Sequence, residues 1–384
     1  MQFEFTTATR IYFGAGELRR FSPWFKTGGR HALVVTGKNP QRAEPLLKLL
    51  KENGAAATTF SVSGEPQIQT VRDGVALAKR ENCDWVIGMG GGSVIDAGKA
   101  IAAMMKNEGD VLDYVEIIGQ GKELAKRPAR YLAIPTTAGT GSEVTRNAVL
   151  ASPEHRLKVS LRHPMMLPEG ALVDPELTYD LPPDITASTG LDALTQLIEP
   201  LVCLRANPMT DAICLDGIRR VAKSFRRAVE NGTDAKARED MAVASLFGGM
   251  ALANAGLGAV HGFAGPIGGM FSAPHGEICA ALLADVMEVN MRALRERDPR
   301  SHALRRYYTV GRLLAGNGHA TANVGIEWIR KLVSDFKIPR LGAQGIKPEH
   351  TDEIVKNAMN ASSMKANPIA LTEAELGEIL QRAM

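Results

Sequence analysis

The sequence predicts an α/β domain with a mostly parallel sheet over residues 1–180 and an all-helical domain over residues 181–384. Three observations carry this reading. Before about residue 180, short β-branched runs alternate with helical stretches, the pattern of βαβ units. Beyond Pro182 and Pro183 nearly every segment has helical period and strand signals are few. The chain has 384 residues, 45% of them apolar, which is too apolar for disorder and long enough for about two domains of roughly 100–200 residues.

In order along the chain, His31–Thr36 (HALVVT) reads as a strand, residues 41–53 as an amphipathic helix, and residues 57–62 (ATTFSV) as a second strand. Residues 68–81 are again helical, 84–89 (DWVIGM) extended and 93–106 helical. A loop around 119–128 leads to a strand at 131–135, and Val173-Asp174-Pro175 closes the last extended segment. Residues 209–229 and 237–255 then have the apolar spacing of long helices.

Charge is informative mainly by its absence. A net charge of +3 supplies no field for nucleic acid, and Arg219-Arg220 and Arg226-Arg227 read as solvated helix faces. At 23% charged, 36 residues should hold about eight charges, yet Met241 through Gly276 holds none. Nine Gly, two Pro, Ser245, Asn254, Ser272 and two His in that window argue against a membrane span and for a protein core. Phe247, Met250, Phe263, Met270 and Phe271 either line an apolar pocket there or are plain core. The first residues, MQFEFTTATR, lack the pattern of a secretion signal. Cys83, Cys203, Cys214 and Cys279 are widely spaced, as expected of reduced thiols in a cytoplasmic protein.

Three constellations carry chemistry. Gly88-Met-Gly90-Gly91-Gly92-Ser93-Val-Ile-Asp96 stands where a strand hands over to a helix, and free N–H groups at a helix start attract a diphosphate. Ser93 and Asp96 have the spacing of a capping box, and the bland alternative is a tight Gly-rich turn. Pro135-Thr136-Thr137-Ala-Gly-Thr140-Gly-Ser142-Glu143 follows another strand, and interleaved hydroxyls and glycines suit ribose or phosphate oxygens. Its alternative is a Ser/Thr-rich turn. Asp192 and Gln196, four apart, share a helix face. His261 and His275, fourteen apart inside the uncharged window, complete a set that suits a divalent transition metal such as Fe2+ or Zn2+, or else are core or cap histidines.

With these motifs in line, the sequence resembles the iron-containing (group III) alcohol dehydrogenase family over essentially its whole length. The carriers are GMGGGSVIDAGKA (88–100), IPTTAGTGSEVT (134–145), ALVDPELT (171–178), GLDALTQLIEP (190–200), NAGLGAVHGFAGPIGG (254–269) and APHGEICA (273–280). The resemblance implies an N-terminal dinucleotide-binding α/β domain, a helical metal and substrate domain, and the fold shared with dehydroquinate synthase. It implies a metal-dependent, NAD- or NADP-linked alcohol dehydrogenase or aldehyde reductase, with hydride passing between nicotinamide C4 and the carbon bearing the oxygen of a small alcohol or aldehyde. A homo-oligomer, dimer or larger, is the family habit; no nucleic acid or membrane partner is expected.

Residue by residue, the resemblance assigns Gly90, Gly91, Gly92, Ser93 and Asp96 to the cofactor diphosphate and its surroundings. Thr136, Thr137, Thr140 and Ser142 fall to the nicotinamide and ribose side, and Lys158 matches a family lysine near the cofactor. Asp192, His261 and His275 fall on metal-ligand and catalytic positions. The fourth ligand position is Gln196 where the family usually has His. Three arrangements are compatible with this: ligation through the amide oxygen, a water in its place, or weak metal binding. Gly265 stands where a second family histidine, the usual proton-relay group, is found. Gly37 with Lys38 replaces the Asp common in NAD-preferring relatives, which permits NADP. The alternatives are a nicotinamide-binding protein with an impaired metal site and a dehydroquinate synthase-like lyase. The uncharged window supplies none of the basic groups that the lyase's polyanionic substrate would need.

Overall fold

The computed structural model describes residues 2–20 and 29–384. Two compact units divide the chain. One comprises Thr7–Thr137 and Gly141–Thr178, and the other Tyr179–Met384 together with the residues up to Thr6 and Ala138–Thr140. Thr140 therefore groups with the helical unit rather than with the α/β unit.

The α/β unit contains a six-stranded, all-parallel sheet: β1 (Arg10–Phe13), β2 (His31–Thr36), β3 (Ala56–Ser61), β4 (Trp85–Gly90), β5 (Arg130–Pro135) and, in this sheet, β8 (Gly170–Val173). The spatial order is β1-β8-β5-β4-β2-β3. An antiparallel hairpin of β6 (Asn147–Ser152) and β7 (Leu157–Arg162) lies outside it. Helices α1 (Glu44–Glu52), α2 (Ile68–Arg80) and α3 (Gly92–Met104) follow β2, β3 and β4.

Alternation along β2 decides the layering. Ala32 and Val34 face a core with Leu46 and Leu50 of α1, whereas Leu33 and Val35 face another with Val71 of α2 and Ile95 and Ile101 of α3. The chain leaves β2 toward β3 and later leaves β4 toward β5, in opposite directions across the sheet. Right-handed crossovers then put α1 on one face and α2 and α3 on the other. The adjacent C-terminal ends of β2 and β4 thus form a topological switch point, the place where doubly wound sheets take ligands.

Glycine within β4 and α3 has a packing cause. A Cβ at Gly88 or Gly98 would lie 2.3 or 2.8 Å from Tyr131 of β5. Tyr131 fills that space and donates to Ile95 O at 2.8 Å, which fixes the start of α3 against the sheet.

In the helical unit run α4 (Pro183–Val202), α5 (Pro208–Glu230), α6 (Ala235–Ala255), α7 (Ala259–Met270), α8 (His275–Arg297), α9 (His302–Ala315), α10 (Ala322–Asp335), α11 (Thr351–Asn360) and α12 (Glu373–Ala383). Helix α4 is buried along nearly its whole length. The uncharged window forms the later part of α6, all of α7 and the start of α8; α6 and α7 meet at 98°. No single helix among the described residues is long and apolar enough to cross a membrane. Phe263 is fully buried core, with Phe247, Met270 and Phe271 packed against it. The arginine runs are largely paired, Arg220 with Asp216 and Asp240, Arg226 with Asp335 and Arg227 with Asp234.

Candidate metal centre and nucleotide site

Asp192, Gln196 and Glu199 sit at i, i+4 and i+7 on α4 and so project from one face. All three are buried, with Asp192 2% exposed. Asp192 Oδ1 and Gln196 Oε1 accept no hydrogen bond, although buried polar atoms in native folds almost always have partners. Gln196 lies against the Asp192 carboxylate and packs its Cβ toward Gly248 of α6.

The two histidines come from helix starts. Helix α7 begins at Ala259, and its exposed first-turn N–H groups are capped by tertiary partners: Val260 N donates to Glu199 Oε1 at 2.7 Å and Ala259 N to Asn367 Oδ1 at 3.1 Å. The other Glu199 oxygen lies 2.6 Å from His261 Nδ1. A proton held on Nδ1 by this carboxylate leaves Nε2 as the ligating nitrogen. His275 opens α8 directly after Pro274. A Cβ at Gly276 would stand 2.5 Å from Ser188 O, so only glycine lets the first turn of α8 approach α4 this closely.

These constraints bring Asp192, His261 and His275 together, and Cys279 with them. One ligand atom from each of the four lies within 4.8 Å of all the others. His261 Nε2 and His275 Nε2 are 3.4 and 3.6 Å from Asp192 Oδ1, and Cys279 Sγ is 3.9 and 3.7 Å from the same two nitrogens. This is the one such His/Cys/Asp/Glu group among the described residues. In the sequence Cys279 reads only as a reduced thiol. Its signal was the i, i+4 spacing from His275, the rule already applied to Asp192 and Gln196. Glu199 was missed likewise.

The electrostatics are those of a cation cage. Burial disfavours the Asp192 carboxylate, but His275, His261 and Gln196 outweigh it and hold its pKa below the usual range. Burial also opposes charging of His261, yet Cys279, Glu199 and Asp192 raise it well above an ordinary histidine. Buried Asp and Cys donors with two half-buried His suit a divalent transition metal. Position 265, one turn after His261, carries no side chain, and a Cβ there would meet nothing within 4 Å.

In the α/β unit, Gly37 follows β2, Gly90–Ser93 follow β4 and Thr136 follows β5, so the cofactor candidates line the C-terminal edge of three neighbouring strands. Helix α3 starts at Gly92 with Gly91 as its cap and no side-chain cap hydrogen bond. The capping-box expectation for Ser93 and Asp96 is therefore incorrect: Ser93 lies inside the first turn, and Asp96 bonds the chain elsewhere. It accepts from Ser142 Oγ, from Val149 N at 3.0 Å and from Lys99 Nζ at 3.4 Å. Fully buried Lys99 also donates to Ser142 Oγ, Thr145 Oγ1 and Asn147 O at 3.0, 3.0 and 2.6 Å. The two small-residue loops are thus tied together, and Thr136 N adds a bond to Gly90 O at 2.9 Å. Lys158 on β7 is paired with Glu65 at 3.0 Å.

The family model described as iron-containing alcohol dehydrogenase matches residues 8–175, and the one for the Fe-containing alcohol dehydrogenase C-terminal region matches residues 186–384. The chain belongs to the iron-containing alcohol dehydrogenase family. Among its relatives are alcohol dehydrogenase 4 of Schizosaccharomyces pombe, 37% identical over 97% of this chain and 87% of that protein, and 1,3-propanediol dehydrogenase of Klebsiella pneumoniae, 36% identical over 93% and 92%. The crystal structure of a 1,3-propanediol oxidoreductase superposes with a TM-score of 0.92 at 33% identity, covering 100% of both chains. That of sulfoacetaldehyde reductase from Bifidobacterium kashiwanohense in complex with NAD+ gives 0.87 at 27% identity, covering 100% of this chain and 99% of that one. As an iron-containing alcohol dehydrogenase by family, the chain is an NAD(P)-linked, divalent-metal-dependent oxidoreductase of alcohols and aldehydes, and the lyase alternative is not favoured.

Two predictions follow from these contacts. Glu199→Gln keeps the acceptor for Val260 N but turns an amide N–H toward His261 Nδ1, moving the imidazole proton to Nε2. Metal affinity, measured by chelator competition, should fall by about 10–100-fold with the circular dichroism spectrum intact; unchanged affinity would refute the role of Glu199. Glu143, in the second loop, is pushed by burial from 4.5 to about 7. Between those values the unfolded chain has lost its proton and the folded chain keeps it, so stability falls as pH rises through that window. Glu143→Gln should remove roughly 2–3 kcal/mol of that pH dependence, read from urea midpoints at about pH 5 and about pH 7.5. A variant with the wild-type slope would contradict the assignment.

Proposed function

We propose that Asp192, His261 and His275 form the catalytic metal site of an NAD(P)-dependent alcohol dehydrogenase acting on small alcohols and aldehydes. The convergence of the two imidazoles on the buried, unpartnered Asp192 Oδ1 is the observation that carries the reading. Relatives named for 1,3-propanediol support a small, uncharged substrate. When bound, the divalent ion supplies Lewis-acid stabilisation of charge developing on the substrate oxygen, and the nicotinamide supplies or accepts hydride.

The chain's own groups do the rest. Asp192 provides negative charge, and Glu199 fixes His261 in the ligating tautomer. The uncharged segment from Met241 to Gly276 adds no charge of its own beside the cage apart from its two imidazoles. Gly90, Gly91, Gly92 and Ser93 present backbone N–H groups at the start of α3 to the diphosphate. Asp96 and Lys99 hold the loop bearing Ser142 in register with it. Thr136, Thr137 and Thr140 offer hydroxyls to the nicotinamide and ribose side, with Lys158 near the cofactor. Gly37 presents no carboxylate to a ribose 2′-phosphate and Lys38 beside it is exposed, which supports use of NADP as well as NAD. The four cysteines are free and buried, in keeping with a cytoplasmic protein.

Purified protein loaded with Fe2+ or Zn2+ should oxidise NADH and NADPH in the presence of short aldehydes and lose this activity on chelation. Gly37→Asp should lower kcat/KM for NADPH relative to NADH by more than about tenfold, because like-charge juxtaposition costs several kcal/mol. Absence of turnover with either metal and either nucleotide would overturn the reading.

A further inference from the structure

The side chain at position 196 is an amide, a weaker donor to a transition metal than imidazole or thiolate. The structure nonetheless supplies four strong donors. Cys279 is fully buried, one helical turn after His275 on α8, and its Sγ contacts the Nε2 atoms of both His261 and His275. Buried thiols elsewhere in this chain behave differently: Cys203 donates to the carbonyl of Ala255.

Four of the donor separations are close to those of a tetrahedral site, and all lie within 4.8 Å. Zinc-to-ligand lengths of about 2.05 Å for N or O and about 2.3 Å for S imply donor separations of about 3.3 Å between N or O atoms and about 3.6 Å from S to N. The corresponding distances here are 3.4 and 3.6 Å from Asp192 Oδ1 to the two nitrogens, and 3.7 and 3.9 Å from Sγ to the nitrogens. Independently, Asp192 Oδ1 is buried with no hydrogen-bond partner and lies on the same cluster, as expected of an atom whose partner is an ion.

We propose that Cys279 is the fourth protein donor of the metal site, giving an Asp192-His261-His275-Cys279 set that takes Zn2+ in preference to Fe2+. This rests on the reading of Asp192, His261 and His275 as a metal cage. Coordination displaces the thiol proton to solvent, leaving a thiolate on the ion. Thiolate is a soft donor that favours zinc, whereas imidazole and carboxylate donors also suit iron. Gln196 Oε1, likewise buried without a hydrogen-bond partner, stands beside Asp192 as the weaker donor outside this four-residue set. Four protein donors are compatible with turnover where zinc takes the substrate oxygen as a fifth ligand, an expansion some catalytic zinc sites make.

The test is X-ray absorption spectroscopy at the zinc edge on the full-length, zinc-loaded protein, with no dependence on activity. The expected spectrum contains one sulfur scatterer at about 2.3 Å beside N and O scatterers at about 2.0–2.1 Å. The sulfur should be absent in Cys279→Ser and retained in Cys203→Ser. Zinc affinity of Cys279→Ser should fall by at least about 100-fold, the upper limit for loss of an outer partner, and its preference for zinc over Fe2+ should narrow. Gln196→Ala should bind zinc within about tenfold of wild type, at the lower limit of that range. Zinc bound through N and O scatterers alone in the wild-type chain would overturn the thiolate proposal while leaving the metal cage standing. Failure to take up zinc at all would overturn both.

Discussion

A carboxylate buried against a charge-free segment is the constraint on which the helical unit depends. Asp192 is 2% exposed on the central helix of that unit, one of its oxygens has no hydrogen-bond partner, and the segment packed around it from Met241 to Gly276 brings no charged side chain of its own. Uncompensated burial of an ionised carboxylate costs several kcal/mol. Compensation comes from two imidazoles carried by that same segment, each at the start of a helix. The glycines and prolines of that segment are what bring those helix starts into place. Pro274 and Gly276 flank His275, and the Gly276 approach to Ser188 admits no larger residue.

Glu199 extends the same logic outward. One carboxylate caps the start of α7 and fixes the tautomer of His261, so secondary structure and ligand chemistry are set by a single side chain. Behind it, Asn367 caps Ala259 N, exchanges hydrogen bonds with Asn290, and Asn290 donates to Tyr307 OH at 3.1 Å. Each polar group of this network is satisfied by the next, the condition under which buried polar groups rigidify a core rather than destabilise it.

Much of this was legible in the sequence because it rests on local signals. Strand β2 is found where HALVVT predicts it, and β4 and α3 shift by one or two residues because Gly91, not Ser93, ends the turn. The division near residue 180 falls between Thr178 and Tyr179. The β6–β7 hairpin escaped prediction: its strands are short, they alternate polar and apolar residues next to a 3-10 turn at Pro153–His155, and their pairing is settled by packing on α3. Strand β1, four residues long, is too short for periodicity to register, whereas β8 ends at Val173, where the sequence closes its last extended segment. At the proposed metal site, motif order singles out Asp192, His261 and His275, which the structure brings together. Cys279 and Glu199 were not singled out, because a buried thiol and a buried carboxylate acquire meaning only from what faces them across helices.

The central claim is that these buried side chains converge on one ion. Anomalous diffraction from crystals of the zinc-loaded protein, recorded above and below the zinc edge, tests it most directly. The account predicts a single strong anomalous peak bounded by Asp192 Oδ1, His261 Nε2 and His275 Nε2. A zinc-loaded crystal with no peak at that position, or with its peak on other residues, would contradict it.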